Sequence, residues 1–403
     1  MDHESLRAQF PALQQQLGDY PLCYLDTAAT SQKPLQVLEA MESFYRTHNA
    51  NVHRAAHALS SKATSAYEDV RDALVNFLGA ARREEIIFTH GTTEAINLVA
   101  HGLRGQFNAG DLILVDSAAH HANLVPWQQL AKATGTRVLP IGLDAELRLD
   151  RTAFRALLAQ KPKLVALSQV SNALGTVNDI QALCAEARAH GAMTLVDGAQ
   201  AVAHMPVNMA ELGCDFYAFS GHKMYGPTGV GVLWGRYDLL AGLEPLLTGG
   251  EMIKTVSFEQ TEFGELPNRL EAGTPPIAEV IGLGAAIEFL QTQDREALMQ
   301  HEAGLLNYLQ RELAAIPGIH LYAAHPDNIG AVAFNFGDEH HQDIGILLDQ
   351  QGVAVRCGHH CAMPLMGLLG VRGCCRASLG IYSNKADVDQ FIQAMKACAD
   401  MLQ

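Results

Sequence analysis

The chain has 403 residues, of which 48% are hydrophobic and 35 are glycine, so it is long enough for two or three domains or for one large α/β domain with a smaller addition. Its 43 acidic residues outnumber its 28 basic ones, which gives a net charge of −15, and no Lys/Arg-rich tract offers an electrostatic partner to a phosphate backbone, so we expect no nucleic-acid partner. The first residues lack the pattern of a signal peptide, and no apolar run has the length of a membrane span, so we expect no membrane partner. Eight cysteines scattered along a long chain predict reduced thiols, and we therefore expect a cytoplasmic protein.

Short β-rich runs alternate with segments whose apolar residues recur at helical spacing, such as TTEAINLVAHGLR (92–104) and DIQALCAEARAHG (179–191). This alternation predicts a mostly parallel sheet with helices on both faces, in which ligands bind beyond the carboxyl ends of the strands. The predicted strands lie in EEIIFTH (84–90), DLILVD (111–116), PKLVALSQV (162–170), AMTLVDG (192–198), FYAFSG (216–221) and VGVLWG (230–235).

The pattern changes at about residue 290. A long helix is predicted in DREALMQHEAGLLNYLQRELAAI (294–316) and a closing helix in KADVDQFIQAMKACADML (385–402), with short strands between them, which indicates a smaller α+β domain. The Gly-rich segment 248–276 has weak periodicity and predicts a long loop, and loops of that length are usually functional.

Several predicted strands end in residues that suit an anion. Gly91, Thr92 and Thr93 stand between a strand and a helix, where backbone N–H groups and the helix dipole favour a negative charge. Ser220 and His222 add two further donors after another strand. A plain helix cap is the alternative interpretation of the Gly-Thr-Thr turn.

Lys223 directly follows Ser-Gly-His at the end of the apolar run 216–219. It is either a snorkelling lysine or a functional amine. Asp197, in VDGAQ (196–200), needs a cationic partner if it is buried and charged, although a cap or a salt bridge would also explain it. Pyridoxal phosphate accounts for the whole set, because it requires a lysine, a carboxylate at its ring nitrogen and anion donors at its phosphate. His120 could stack on such a ring, or be an ordinary surface or core histidine.

Ten motifs follow one another along almost the whole chain: YLDTAAT (24–30), NVHRAAHALS (51–60), THGTTEAINLVA (89–100), HHANLVPWQ (120–128), SQVSNALGT (168–176), VDGAQ (196–200), FSGHKMYGPTGVGVLWG (219–235), LEAGTP (270–275), RCGHHCAMP (356–364) and CRASLGIYS (375–383). Together they resemble those of the cysteine desulfurases in the class V aminotransferase family, specifically the SufS and CsdA group. This resemblance implies a PLP-dependent transferase of fold type I, with a large PLP-binding domain at 22–289 and a small domain formed by 1–21 and 290–403.

The resemblance also implies a role for individual residues. Lys223 would bind pyridoxal 5'-phosphate covalently, Asp197 would pair with the ring nitrogen, His120 would stack on the ring and act in catalysis, and Gln200 would bind the ring hydroxyl. Cys361 would accept sulfur. The implied phosphate-binding residues are Thr92, Thr93, Ser220, His222 and, from the partner subunit of a homodimer, Thr274. The implied substrate-binding residues are Asn172, Arg376 and Arg356.

The reaction that the resemblance implies converts L-cysteine to L-alanine and leaves a persulfide on Cys361. The sulfur would pass to a SufE-like or CsdE-like acceptor protein for iron–sulfur cluster assembly or related sulfur delivery. A selenocysteine lyase, a cysteine sulfinate desulfinase and an inactive dimeric scaffold of the same fold stay open as alternatives. The chain departs from the family pattern at Ala119, where glutamate is usual, at Pro276, where asparagine is common, and at Cys357.

Cys361 must react as a thiolate, and His359, His360 and Arg356 are near enough in sequence to lower its pKa. It could instead be a small buried apolar residue, or a zinc ligand together with Cys357, His359 and His360. Adjacent residues do not converge on one tetrahedral ion without strain, and zinc ligands usually come from two segments. We therefore expect no metal.

Overall fold

The computed structural model describes residues 3–54 and 56–402. Met1, Asp2 and Gln403 of the predicted small domain, and Ala55 of the predicted large domain and of the motif 51–60, lie outside the described part. The α-helices are α1 His3–Ala8, α2 Leu35–Thr47, α3 Ala58–Leu78, α4 Thr92–Gly102, α5 Val125–Thr134, α6 Arg151–Leu158, α7 Ile180–Ala189, α8 Met209–Leu212, α9 Tyr237–Ala241, α10 Ile277–Thr292, α11 Arg295–Ala314, α12 His341–Asp349, α13 Met363–Leu369 and α14 Lys385–Leu402. The strands are β1 Gln16–Leu17, β2 Tyr20–Pro21, β3 Cys23–Tyr24, β4 Ile86–Thr89, β5 Leu112–Asp116, β6 Arg137–Ile141, β7 Leu164–Ser168, β8 Met193–Asp197, β9 Phe216–Ser220, β10 Gly231–Gly235, β11 Ile253–Val256, β12 Thr261–Phe263, β13 Ile319–Tyr322, β14 Ala331–Phe336, β15 Val353–Ala354, β16 Arg356–Gly358 and β17 Cys374–Ser378.

The main sheet has seven strands in the order β4-β10-β9-β8-β7-β5-β6. Strands β6, β5, β7, β8 and β9 pair in parallel, and β10 runs antiparallel to both of its neighbours. The prediction of a mostly parallel, mixed sheet is confirmed, and all six predicted strands are present. The carboxyl ends of the parallel strands therefore meet at one edge of the sheet.

Both faces of this sheet are buried under helices. Along β9, Tyr217 and Phe219 pack in one apolar cluster with α3, α6, α7 and α10, whereas Phe216 and Ala218 pack in another with α4, α5 and α9. Because successive side chains of a strand point to opposite faces, a sheet that is buried on both sides needs continuous apolar runs. This explains why the strands appear in the sequence as short unbroken apolar segments.

A second, antiparallel sheet of four strands has the order β13-β14-β17-β16 and packs with α11, α12 and α14 in an apolar cluster of its own. Strand β3 pairs with β15, so residues 23–24 join this part of the molecule to the N-terminal segment. The α+β pattern expected after residue 290 is present. The domain boundaries at 22 and 289 stay a prediction.

Two elements differ from the sequence prediction. Strand β6 was not predicted, because it lies at the sheet edge, where only Ile141 is fully buried, and Pro140 interrupts its apolar residues. The segment 248–276 was predicted as one long loop, but β11 and β12 form an antiparallel hairpin within it. Most residues of that hairpin are exposed, so no apolar alternation marked it in the sequence.

A buried ion pair fixes the loop that follows this hairpin. Arg71 on α3 is fully buried and donates two hydrogen bonds, of 2.8 and 2.9 Å, to the carboxylate of Glu271. The same carboxylate accepts the backbone N–H of Phe88 in β4 at 2.7 Å. Glu271 lies three residues before Thr274, so this ion pair holds the Thr274 loop against the main sheet.

Replacing Arg71 by leucine should lower the free energy of unfolding by about 3–5 kcal/mol, because the change leaves a buried carboxylate without its cation. Urea denaturation of wild type and variant measures the difference. The matched control is Arg46→Leu, which removes an i,i+4 pair between Arg46 and Glu42, both largely exposed. That control should cost less than about 1 kcal/mol. Equal losses in the two variants would contradict the role given to the buried pair.

Candidate active site

One cavity of about 560 Å³ opens at the carboxyl ends of the parallel strands. Each strand contributes through the residues that follow it: His120 after β5, Asn172 after β7, Gln200 after β8 and Lys223 after β9. The cavity brings together twelve of the thirteen predicted site residues: Thr92, Thr93, His120, Asn172, Asp197, Gln200, Ser220, His222, Lys223, Arg356, Cys361 and Arg376.

Thr274 is the predicted site residue that lies elsewhere. Its side chain is exposed and lines a separate cavity of about 50 Å³, together with His90 and Glu271. Within one subunit it does not face the main cavity. A role for Thr274 in cofactor binding therefore requires a second subunit.

Lys223 ends a short 3-10 turn, Gly221–Lys223, that follows β9. The carbonyl of His222 in this turn accepts hydrogen bonds from Ser31 N–H at 3.0 Å and from Lys33 Nζ at 2.9 Å. Neither Ser31 nor Lys33 was predicted as a site residue, because nothing in the sequence links residues 31–33 to a turn almost two hundred residues later. The segment 31–33 thus fixes the backbone that carries the Lys223 amine.

The pKa of Lys223 is lowered to about 8, mainly because burial disfavours the ammonium form. The charges of Arg376 and Arg356 lower this pKa further, whereas Asp197 and Cys361 raise it. A substantial fraction of the amine is therefore neutral near pH 8. A neutral amine is the form that attacks an aldehyde.

Asp197 ends β8, and its carboxylate is buried. Oδ1 accepts the backbone N–H of Ala199 at 3.0 Å. Burial raises the pKa of Asp197, while that hydrogen bond and the Lys223 charge oppose the rise. In residues 3–54 and 56–402 no basic side chain forms an ion pair with this carboxylate. A buried carboxylate without an ion pair fits a ligand that brings a cationic ring nitrogen.

The start of α4 forms the anion-binding end of the cavity. Gly91 adopts φ +148°, which orients the chain so that Thr92 begins the helix. Thr92 donates its backbone N–H to Ser220 Oγ at 2.8 Å, and the two hydroxyls are also 2.8 Å apart. Helix N-terminal amides and hydroxyls suit a phosphate group.

His120 lies beside Lys223, and burial together with the Lys223 charge lowers its pKa to about 4. Its ring is therefore neutral near pH 7. The sequence departs from the family at Ala119, but the His120 ring is fixed by another contact: Nδ1 accepts the backbone N–H of Ala122 at 3.0 Å. A neutral imidazole can pack on the face of a cationic aromatic ring.

A further buried polar atom is without a partner on the cavity wall. Ser168 Oγ lines the cavity and has no hydrogen bond within the described ranges. Ser168 is the register partner of Asp197 on the adjacent strand. With the amine of Lys223, the unpaired carboxylate of Asp197 and the phosphate-type donors at α4, the residues present fit pyridoxal phosphate.

The opposite end of the cavity carries two arginines that share one acid. Arg376 is 2% exposed and donates to Asn172 O at 2.8 Å and to Asp26 Oδ1 at 3.2 Å. Arg356 binds both oxygens of the same Asp26 carboxylate, the shortest contact being 2.8 Å. The Nε atom of Arg376 is buried and has no partner among the described residues. Two guanidinium groups against one carboxylate leave a net positive charge, which suits the carboxylate of an amino acid.

Asp26 was not predicted as a site residue. It belongs to the YLDTAAT motif, but it lies 330 residues from Arg356 in sequence. A sequence motif that contains a single acidic residue does not indicate which basic residue that acid will pair with. The contact arises because β3 pairs with β15, directly before the strand that carries Arg356.

Cys361 is exposed and lies on a turn in which both His360 and Cys361 have positive φ, +50° and +54°. The turn is held by His121 N–H, which donates to Cys361 O at 2.7 Å, and by Cys361 N–H, which donates to His359 Nδ1 at 3.1 Å. Asn172 Nδ2 donates to His360 O at 2.7 Å. These contacts hold a left-handed turn that costs energy for residues with side chains.

His360 does not supply a positive charge to Cys361. Burial, with Arg376 nearby, lowers the pKa of His360 to about 3, so its ring is neutral near pH 7 and faces Cys374 O at 3.0 Å. The neutral ring of His360 therefore gives no support to the prediction that this residue lowers the pKa of the thiol. Arg356 is the permanent cation that interacts with Cys361.

Two further findings bear on the function. Within residues 3–54 and 56–402, no group of three or more His, Cys, Asp and Glu side chains is placed to hold a metal ion. The helices in the described ranges include none that is both long and apolar enough to span a membrane.

Comparison with known proteins places the chain among characterised relatives. The family model for Aminotransferase class-V matches residues 23–391. A protein of Dickeya dadantii (strain 3937) named cysteine desulfurase is 48% identical over 396 residues, which are 97% of this chain and 95% of the relative. The crystal structure of the cysteine desulfurase CsdA (S-sulfonic acid) from Escherichia coli superposes with a TM-score of 0.92 at 40% identity, covering 100% of this chain and 99% of the other. A C-DES variant with glycine covalently linked to its PLP cofactor superposes with a TM-score of 0.82 at 25% identity, covering 97% and 98%.

The lowered pKa of Lys223 predicts an unusual pH dependence of its reactivity. With the cofactor removed, acetylation of Lys223 by acetic anhydride should rise with pH through a midpoint of about 8, because the reagent reacts with the neutral amine. Peptide mass spectrometry over a pH series measures the labelling of each lysine.

Lys254 is the internal reference, because its exposed ammonium pairs with Glu262 and its pKa is raised. It should be labelled at clearly higher pH than Lys223 in the same samples. If the two lysines titrated together, the shift assigned to burial would be wrong.

Proposed function

This chain belongs to the class-V aminotransferase family, and from that premise we propose that it is a PLP-dependent cysteine desulfurase of fold type I that converts L-cysteine to L-alanine. The fold class, the family and pyridoxal phosphate as cofactor, all predicted from the sequence, are confirmed. One cavity carries the proposal, because it holds a lysine with a lowered pKa, a pair of arginines suited to a carboxylate, and an exposed thiol.

The residues that would hold the cofactor come from the strand ends. Lys223 would bind its aldehyde carbon, Asp197 its ring nitrogen and Gln200 its ring hydroxyl, with the neutral His120 ring against its face. When bound, pyridoxal phosphate withdraws electrons from the α-carbon of an amino acid. The phosphate would be held by Thr92, Thr93, Ser220 and His222, and by Thr274 of a second subunit.

The substrate is oriented by its carboxylate. Arg376 is already fixed by Asn172 O and Asp26, so little side-chain entropy is lost when it binds the substrate. Its unpaired Nε–H can donate to a carboxylate oxygen, and Arg356 adds positive charge at the same end. A substrate held in this way would present its amino group and Cα to Lys223, which lines the same cavity.

Lys223 is suited to moving the proton of the substrate. A pKa of about 8 allows Nζ to accept the proton from Cα and to return a proton near neutral pH. Of the charged groups near it, Asp197 stabilises the ammonium form most and Arg376 destabilises it most. The amine is therefore poised between its two protonation states.

Cys361 takes the sulfur. Its thiolate attacks the sulfur of the bound cysteine, so that an S–S bond forms as the substrate Cβ–S bond breaks. The electron pair of the broken bond stays with Cβ, which takes up a proton and becomes the methyl group of alanine. The terminal sulfur remains on Cys361 as a persulfide, with Arg356 as the nearby cation.

The exposure of Cys361 supports delivery to another protein. A persulfide on an exposed turn is open to attack by an acceptor thiolate, and we propose a SufE-like or CsdE-like protein as the acceptor, with iron–sulfur cluster assembly as the use of the sulfur. All eight cysteines are free thiols. We further propose that the enzyme works in the cytoplasm, where thiols stay reduced.

Replacing Cys361 by serine should separate substrate binding from sulfur transfer. Lys223 and Arg376 are untouched, so cysteine should still change the absorbance of the bound cofactor. A hydroxyl has almost no anion at neutral pH and is a poor nucleophile toward sulfur, so alanine production from cysteine should fall to background. Amino-acid analysis measures the alanine. Selenocysteine and cysteine sulfinate serve as comparison substrates, because their leaving groups can depart without attack by the protein.

Mass spectrometry of the wild-type protein after one turnover without acceptor should place one added sulfur on the peptide that contains Cys361. Cys357→Ser is the matched control, since Cys357 lines the same cavity and should not be needed for alanine formation. Normal cysteine turnover by the Cys361→Ser variant would show that another thiol accepts the sulfur. A wild-type protein that does not bind pyridoxal phosphate would instead favour the inactive scaffold.

Thr274 should act across a dimer interface. We expect sedimentation to report a homodimer at assay concentrations. Replacing Thr274 by valine should weaken pyridoxal phosphate binding about tenfold, because a hydrogen bond to a charged group is lost. Thr274→Ser keeps the hydroxyl and should bind normally. A fully active monomer, or unchanged affinity in the valine variant, would contradict the assignment.

A further inference from the structure

Two cysteines outside the proposed reaction lie opposite each other in the four-stranded sheet. Cys357 in β16 and Cys375 in β17 are register partners of an antiparallel pair, and their Sγ atoms are 3.5 Å apart. The neighbouring Cys374 packs in a different apolar cluster from Cys375, because successive residues of a strand face opposite ways. Cys357 therefore has one specific thiol partner in β17.

The register of the two strands is compatible with a disulfide between these residues. Directly opposite residues of an antiparallel pair have Cα atoms about 4.5–5.5 Å apart. Disulfides occur at Cα separations of about 4.4–6.8 Å. The two sulfur atoms need only approach from 3.5 Å to about 2.05 Å, which small side-chain rotations can supply.

The two thiols differ in accessibility and in acidity. Cys357 is half-buried and lines the main cavity, whereas Cys375 is fully buried. Either sulfur could donate the hydrogen bond between the two thiols. Cys375 also has the carbonyl of His341 as an acceptor, 3.3 Å from its Sγ, and its contact with Cys357 lowers the pKa of the Cys357 thiol. Cys357, which lines the cavity, is thus the thiol of the pair that a small solute reaches.

We propose that Cys357 and Cys375 form a redox-active dithiol site that is oxidised by small hydroperoxides to an intrachain disulfide. In the first step Cys357 Sγ attacks the peroxide, an S–O bond forms, the O–O bond breaks, and water leaves when the oxidant is hydrogen peroxide. In the second step Cys375 Sγ attacks Cys357 Sγ, the S–S bond forms, the S–O bond breaks, and a second water leaves with the Cys375 proton. The two thiols lose two electrons, which the peroxide gains.

The position of this pair connects it to the substrate end of the cavity. Arg356 precedes Cys357 and Arg376 follows Cys375, and the two arginines are themselves register partners. A bond between the sulfurs would tie together the two strands that carry both guanidinium groups. The site thus senses oxidants that enter the same cavity as the substrate.

The test is to expose the holoenzyme to a small excess of hydrogen peroxide, block free thiols under denaturing conditions, and map the peptides. We expect a Cys357–Cys375 linked pair that dithiothreitol reverses. In Cys375→Ser the resolving thiol is missing, so dimedone should trap a sulfenic acid on Cys357. In Cys357→Ser the buried Cys375 should remain a thiol.

Cys374→Ser and Cys361→Ser are the controls, and both should form the same linked pair as wild type. If Cys375→Ser does not fold, wild type and Cys357→Ser decide the question. Oxidation of Cys361 shows that the peroxide dose was effective. If Cys357 and Cys375 are both still free thiols, and are therefore alkylated, after such a dose, the proposal is overturned. A link between Cys357 and Cys361, or a folded Cys375→Ser protein without a dimedone adduct on Cys357, would overturn it as well.

Discussion

The parallel pairing of β5, β7, β8 and β9 is the constraint on which the site depends. Residues that follow these strands are far apart in sequence but reach the same edge of the sheet. Asp197 pairs in register with Ala218 on β9, so the chain that leaves β9 brings the Lys223 amine near the Asp197 carboxylate. Gly198 permits this arrangement, because a Cβ there would lie 2.0 Å from the ring of Tyr217. The lysine that follows Ser-Gly-His therefore lies at the edge of a buried sheet, and not on a solvated surface.

Burial at this edge then determines the protonation states of the ionisable side chains in the cavity. The same desolvation raises the pKa of Asp197 and lowers the pKa values of Lys223, His120 and His222, since it disfavours the charged form of each. The cavity by itself is thus less charged than its residue types suggest. A ligand that carries a cationic nitrogen and an anionic phosphate restores partners for these groups, which ties cofactor binding to the protonation of the lysine.

Elements with a strong local signal could be predicted from the sequence. The six unbroken apolar runs became strands, and the residues after five of them share one cavity, because these five strands point the same way. Strand β10 runs antiparallel to its neighbours, and the residues after it do not line that cavity. The β11–β12 hairpin was missed because its mostly exposed residues leave no apolar pattern, and β6 was missed because it is an edge strand whose short apolar segment is interrupted by Pro140. Asp26 and Lys33 were missed for a different reason: each acts through tertiary contacts that span about 190 residues or more, and a single sequence does not encode such pairings locally.

The position of Cys361 reconciles two demands on one thiol. To attack a substrate held by Arg376 and Lys223, the sulfur must face the cavity, but to pass sulfur on it must be reached from solvent. A regular strand or helix would present it to one side. The left-handed turn at His360 and Cys361 breaks the regular backbone, and the contacts from His121, Asn172 and His359 offset the cost of that conformation. The strained backbone of His360 and Cys361 therefore allows one sulfur atom to react in the buried cavity and also to be reached from the surface.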